Sequence, residues 1–268
     1  MYQAYGVLGQ NLGHSLSPFL HNSAFQAAGM KRVYFKWEIE PGNLGDFMKA
    51  VRILPLSGAS VTIPYKEDVM EYLDHISPEA ADMGAVNTIY WHRDLLCGTN
   101  TDCKGFMAPI EDLHLDSVLV LGSGGASRAV IYGLKELKIR RIFLTNRSEK
   151  KARDLAAEFN VKSIPWDERY RIKADLLVNT TPLGTAGDMQ ELTPWDSSIF
   201  PFETVYDLVY NPLQTRLLQQ AREHGAHTVS GLSMFVHQGL RQFKTWTGQG
   251  FDPEWAEDLL RRKITGEI

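Results

Sequence analysis

The chain has 268 residues, which at roughly 150 residues per domain predicts one large domain or two modest ones. Its hydrophobic fraction of 44% and charged fraction of 22% are those of an average folded protein and exclude disorder, a collagen-like repeat and a coiled coil. Lysine plus arginine (28) against aspartate plus glutamate (32) leaves a net charge of −4, and the densest basic clusters, Lys150-Lys151 and Arg261-Arg262-Lys263, are too short to track a nucleic-acid backbone.

Strand and helix patterns alternate nearly throughout, the signature of βα units around a parallel sheet. The first residues, Met1 to Val7, carry no basic region and no apolar stretch of secretory length, and nowhere do 18 apolar residues run together, so neither a leader nor a membrane span is expected. Strands are predicted at Ala4–Leu8, Val33–Glu38, Gly58–Ile63, Asn87–Trp91 and Leu95–Gly98. Helices fall between them at Pro18–Ala28, Leu44–Leu54 and about Lys66–Leu73, the first with Ser17 as N-cap, Pro18 at its first position and Gly29 as its stop. Cys97 and Cys103, six apart, match no disulfide framework, redox pair or zinc spacing; they read as reduced thiols of a cytoplasmic protein. The eight histidines have no metal-ligand spacing, and no metal is expected.

A boundary falls near Asp102, and a second run of units starts at Ser117. Val118-Leu119-Val120-Leu121 is a continuous apolar strand of the kind buried on both faces, and it leads through a glycine-rich turn into a helix ending near Leu137. Strands follow at Arg141–Asn146, Asp175–Asn179, Thr204–Leu208 and His227–Val229, and helices at Glu149–Phe159, Gln214–His224, Met234–Thr245 and Pro253–Lys263.

The turn Gly122-Ser123-Gly124-Gly125-Ala126-Ser127, set between strand and helix, has the context of a dinucleotide fingerprint. Its first glycine permits the tight turn, and its second lets backbone approach a pyrophosphate at the positive end of the helix. An NAD site usually places a carboxylate about 20 residues on, to hold the ribose 2′-hydroxyl. Here the next strand ends in Asn146-Arg147-Ser148, with Lys150 and Lys151 one turn later. A guanidinium, a hydroxyl and an ammonium suit a 2′-phosphate, so NADP is expected rather than NAD. Small polar residues also cluster where strands of the first half should simply end: His14-Ser15-Leu16-Ser17-Pro18, Ser60-Val61-Thr62-Ile63-Pro64-Tyr65-Lys66, Gly84-Ala85-Val86-Asn87-Thr88 and Gly98-Thr99-Asn100-Thr101-Asp102. Ligands of open α/β sheets bind at the carboxyl ends of strands, which makes one hydroxyl-rich pocket the economical reading. Taken singly, Ser15, Thr62, Asn87 and Asp102 are also ordinary turn and strand residues.

Together these segments resemble the shikimate dehydrogenase family. The resemblance runs over nearly the whole chain: HSLSP with Asn22, VTIPYK, GAVNT, GTNTD, LGSGGASRA, NRS, NTTPLG from Asn179, DLVYNPLQT from Asp207, and Gly231 through Gln238. It implies two α/β domains, a substrate-binding catalytic domain of residues 1–101 plus 237–268 with an open sheet, and a Rossmann-type NADP-binding domain of residues 102–236. It further implies reversible reduction of 3-dehydroshikimate to shikimate with NADPH, a step toward chorismate and the aromatic amino acids. Lys66 and Asp102 match the residues beside the reacting carbon. Ser15 and Ser17 match those that receive the substrate carboxylate, and Thr62, Asn87 and Gln238 those that bond its ring hydroxyls, with Tyr210 nearby. Gly122, Ser123, Gly124, Gly125, Ala126, Asn146, Arg147, Ser148, Lys151, Leu208 and Gly231 match cofactor-lining positions. The expected partner is this small molecule alone, and the expected assembly is a monomer or homodimer.

The chain departs from the family at Ser60, where asparagine is usual, at Lys151, often arginine, and at Gly231–Phe235, where GLSMF replaces GLGML. Ser60 is expected to leave a ring-hydroxyl site that is wider or relies on a bridging water. Hydride transfer requires a group that exchanges the hydroxyl proton. Sequence does not separate Lys66 from Asp102 in that role, so the two are treated as a coupled dyad. The alternatives are a paralogue acting on quinate or an aminated shikimate, with NAD in place of NADP, and a non-catalytic nucleotide sensor on the same fold. Retention of both Lys66 and Asp102 argues against the sensor.

Overall fold

A computed structural model describes residues 3–268. The chain divides into two units, Met1–Thr101 with Gln238–Leu260, and Asp102–His237 with Arg261–Ile268. The last eight residues thus group with the second unit, whereas the sequence reading put all of 237–268 with the first.

In the first unit the elements run β1 (Gln3–Gly9), α1 (Ser17–Ala27), β2 (Arg32–Glu38), α2 (Leu44–Ile53), β3 (Leu56–Val61), β4 (His75–Ile76), α3 (Pro78–Met83), β5 (Thr88–His92) and β6 (Leu95–Thr99). They form one sheet of order β2-β1-β3-β5-β6-β4. This sheet is mixed rather than parallel: β5 runs antiparallel to both β3 and β6. The cause is local, a two-residue hairpin after His92 whose first residue, Arg93, takes φ 55°. Alternate side chains face opposite cores, Leu8, Ala59, Val61 and Ile89 packing with α2, and Tyr5 and Val7 with Phe25 of α1.

Two local expectations change. Helix α1 begins at Ser17 itself, with Leu16 as N-cap and no side-chain cap bond; proline fits there because a first-turn residue needs no N–H. The helix expected at about Lys66–Leu73 is only a 3-10 turn, Asp68–Tyr72. The Lys66 carbonyl is taken by Val86 N–H at 2.8 Å and so is withdrawn from helix bonding.

The second unit contains α4 (Asp102–Met107), β7 (Ser117–Leu121), α5 (Gly125–Glu136), β8 (Arg141–Thr145), α6 (Glu149–Phe159), β9 (Lys162–Ser163), β10 (Leu176–Asn179), β11 (Thr204–Asp207), α7 (Arg216–Glu223) and β12 (His227–Ser230). Its sheet is parallel throughout, in the order β12-β11-β10-β7-β8-β9. Val118 and Val120 pack on one side with α5 and α6, Leu119 and Leu121 on the other with α7 and Trp195, which explains the unbroken apolar run of β7. Helix α8 (Gly231–Thr247) starts in this unit and ends in the first, and α9 (Pro253–Thr265) closes the chain. Among the described residues no helix is long and apolar enough to cross a membrane.

Candidate active site

In the first unit the carboxyl ends of β1, β3 and β6 and the amino end of antiparallel β5 fall on one sheet edge. The sequence-predicted residues sit there because of that topology. Ser15 and Ser17 follow β1, Thr62 follows β3, Asn87 immediately precedes β5, and Thr101 lies just past β6. Asp102, the first residue of α4, is buried and covalently follows Thr101. Lys66 is half-buried, and its backbone is fixed by Val86 and by Tyr65, whose phenol donates to the Ile39 carbonyl at 2.7 Å.

Asn87 is held from several sides. Its Oδ1 accepts from Thr101 N–H at 2.8 Å and from Thr88 Oγ1 at 2.6 Å, and its Nδ2 donates to Thr101 Oγ1 at 3.0 Å. Ser60 does not widen a pocket. It is 6% exposed, accepts from the Tyr34 phenol at 2.6 Å and donates to Gln242 Oε1 at 2.8 Å. Burial pushes the Tyr34 phenol far above its ordinary pKa, so it is a neutral donor, and Ser17 hydrogen-bonds the same hydroxyl. Gln238 is buried on α8, one turn before Gln242. Sequence reasoning missed Tyr34 and Gln242. His21 is wholly buried against Tyr34 (ring centroids 4.6 Å apart), and burial drives its pKa down to about 3.

The second unit builds a different kind of site at the end of β7. Gly122 takes φ +113°, and a Cβ there would lie 2.4 Å from Thr180 Oγ1, so only glycine fits. Gly124 is the N-cap of α5, and a Cβ on it would meet nothing within 4 Å, leaving open space over the turn. Ser123, Gly125 and Ala126 are partly exposed around it. Ser127 is structural: its hydroxyl bonds Thr180 Oγ1 at 2.6 Å, and Thr180 donates to the Leu121 carbonyl at 2.8 Å. At the end of β8, Asn146 Nδ2 reaches the Ser148 carbonyl at 3.4 Å, while Arg147 and Lys151 are exposed. Ser148 is the N-cap residue of α6 but its hydroxyl makes no cap bond, and Lys150 is engaged by Asp154 at 3.0 Å. The open glycine turn and the basic strand end therefore fit a phosphorylated dinucleotide.

Behind the turn, Asp207 organises two loops. Its carboxylate accepts from Asn179 Nδ2 at 2.9 Å, Val209 N–H at 3.1 Å and Thr215 Oγ1 at 2.6 Å, yet complete burial pushes its pKa up to about 6. Leu208 N–H bonds the Asn179 carbonyl at 3.0 Å. A Cβ at Gly231 would stand 2.1 Å from the Leu208 oxygen, so α8 begins on glycine because backbone passes there. Tyr210 stacks on Phe235 with ring centroids 4.5 Å apart. The DLVYNPLQT segment held the sequence signal for Asp207, an acid at the end of an apolar strand.

The family models matching the chain are the shikimate dehydrogenase substrate binding domain over residues 7–89, shikimate / quinate 5-dehydrogenase over 107–181 and the shikimate 5'-dehydrogenase C-terminal domain over 231–254. The shikimate dehydrogenase (NADP(+)) of Maridesulfovibrio salexigens is 44% identical over 263 residues, 97% of each chain. The structure of shikimate 5-dehydrogenase from Thermus thermophilus in complex with NADP(H) and shikimate is 36% identical with a TM-score of 0.88, covering 97% of this chain and 99% of that one. Quinate dehydrogenase from Corynebacterium glutamicum in complex with NAD also has a TM-score of 0.88, at 29% identity over 97% of this chain and 99% of that one.

Proposed function

We infer the activity from one premise: the chain belongs to the shikimate dehydrogenase family. It is an NADP-dependent oxidoreductase acting on a CH–OH group, and it interconverts 3-dehydroshikimate and shikimate in the route to chorismate and the aromatic amino acids. The observation that carries the substrate assignment is the gathering of Ser15, Ser17, Thr62 and Asn87 at one edge of the first sheet.

In this reading Ser15 and Ser17 receive the carboxylate. Thr62, Asn87 and Gln238 bond the ring hydroxyls, Tyr210 is a further residue assigned to the substrate, and buried Ser60 is linked to Asn87 through Gln242. Lys66 and Asp102 are the acid–base groups: one of them gives a proton to the ketone oxygen as the carbon is reduced, and takes it back in the reverse direction. When bound, NADPH supplies the hydride. Gly122, Ser123, Gly124, Gly125 and Ala126 would hold its pyrophosphate, Asn146, Arg147, Ser148 and Lys151 its 2′-phosphate end, and Leu208 and Gly231 line the remainder. Cys97 and Cys103 are buried and joined in no disulfide, in keeping with a cytoplasmic enzyme, and the assembly proposed is a monomer or homodimer.

Turnover of purified protein with shikimate or quinate, each paired with NADP or NAD, tests the reading. Shikimate with NADP is expected to give the highest kcat/KM. Quinate turnover that equals or exceeds it would move the enzyme to the quinate-oxidising relatives.

A further inference from the structure

Gln242 is 2% exposed; its Oε1 accepts from Ser60 Oγ at 2.8 Å, and its Nε2 donates to the Asn87 carbonyl at 3.1 Å and to Thr88 Oγ1 at 3.0 Å. A carbonyl only accepts, so Nε2 must face Asn87 and Oε1 must face Ser60. That orientation propagates in both directions. Ser60 gives its one proton to Gln242, so a lone pair of Ser60 must receive the Tyr34 phenol, at 2.6 Å. On the other side Thr88, having accepted from Gln242, gives its proton to Asn87 Oδ1 at 2.6 Å, beside the Thr101 N–H that donates to the same oxygen at 2.8 Å, and the two donors together leave Asn87 Nδ2 facing Thr101 Oγ1.

We propose that Gln242 is a positioning residue for the substrate: its amide fixes the direction of one buried hydrogen-bond relay from Tyr34 through Ser60 to Asn87. This rests on the assignment of shikimate as substrate and of Asn87 as a contact to it. Gln242 touches no reacting atom in this role. Together with the Thr101 N–H, which donates to the same Oδ1 at 2.8 Å, it keeps the Asn87 carboxamide turned with Oδ1 toward Thr88 and Nδ2 toward Thr101 Oγ1, and so sets how Asn87 is presented to a ring hydroxyl.

The test is Gln242→Leu, which keeps bulk but has neither donor nor acceptor. The shikimate KM is expected to rise about two- to twelvefold, the worth of one such bond, with the NADP KM unchanged. Ser60→Ala should raise it similarly, and the double variant should be no worse than the poorer single one, because both break the same relay. Ser60→Asn placed in a Gln242→Ala background, where room has been made, should restore the KM. A folded Gln242→Leu protein with unchanged shikimate KM overturns the proposal; if that variant does not fold, Ser60→Ala decides it on the same criterion. Exchange of the Asn87 side-chain amide protons, followed by NMR without substrate, separates this idea from the functional reading. Faster exchange in Gln242→Leu, in a protein that fails to turn over shikimate, sinks the substrate assignment and keeps the relay. Unchanged exchange in that case sinks both.

Discussion

Ser60 shows how a single substitution is reinterpreted once its neighbours are known. From sequence it shortens a side chain facing substrate; in the fold its hydroxyl is enclosed by Tyr34 and Gln242. Restoring asparagine at 60 with Gln242 intact therefore adds atoms to a filled buried site, and overpacking of this kind costs about 1–3 kcal/mol. Ser60→Asn alone should lower Tm by several degrees and leave the shikimate KM no better, as thermal unfolding and steady-state kinetics would show; a stable variant with improved KM contradicts the enclosed-hydroxyl account. Lys66 and Asp102 are expected to behave differently, because each acts on a proton rather than on packing. Lys66→Ala should lower kcat by about 10²–10⁴ with a smaller change in KM, and Asp102→Asn should also lower kcat strongly. Wild-type kcat in either variant removes that residue from the acid–base role.

At the scale of elements, the glycine turn and the end of β8 divide the work of cofactor recognition. The turn offers backbone and open space at Gly124, features shared by NAD and NADP sites, whereas Arg147, Ser148 and Lys151 supply the charge and hydroxyl that favour a 2′-phosphate. Arg147→Ala should weaken NADP by roughly tenfold or more in KM while leaving NAD nearly unchanged, since a charge-assisted bond to phosphate is lost for one cofactor only. Equal losses for both cofactors would place Arg147 outside the 2′-phosphate contact. These elements were legible in sequence because each is local: the apolar run of β7, the glycines that follow it, and the Glu149–Phe159 helix all announce themselves within a dozen residues. Helix α3 was equally local and was overlooked, although Ser77 caps it through Ala80 N–H and Gly84 ends it in a left-handed turn. Ser17 misled for another reason: the Ser-Pro pair is a real start signal, but its hydroxyl serves Tyr34 instead of the cap. The relay through Gln242 was not legible at all. It joins residues 182 positions apart, Ser60 and Gln242, and no periodicity or spacing encodes such a pairing.

Among the buried titratable groups of the described residues, His21 in the first unit and Asp207 in the second act on stability in opposite directions. His21, in the first unit, is surrounded by the rings of Phe25, Tyr34, Phe243 and Trp246, and burial lowers its pKa from 6.5 to about 3. Between those values the unfolded chain binds more protons than the folded one, so stability from this site is lost as pH falls below 6.5. Asp207, in the second unit, has its pKa raised from 3.8 to about 6 despite three hydrogen bonds. Between 3.8 and 6 the folded state binds more protons, so stability from this site grows as pH falls through that window. From pH 7 to 4.5 the shifts correspond to a loss of about 3 kcal/mol at His21 and a gain of about 2 kcal/mol at Asp207, at 1.36 kcal/mol per pKa unit. The two nearly cancel in the wild-type chain, and single variants should uncover them. In His21→Phe the loss at that site disappears, so acidification should stabilise this variant relative to wild type. In Asp207→Asn, where the amide keeps an acceptor for Asn179 and Val209 and donates to Thr215, the gain disappears, and acidification should destabilise relative to wild type. Urea unfolding of the three proteins at pH 7 and pH 4.5 measures both differences. Parallel pH dependence in wild type and both variants would show that neither buried group changes its protonation on unfolding, and opposite deviations from wild type are the expected result.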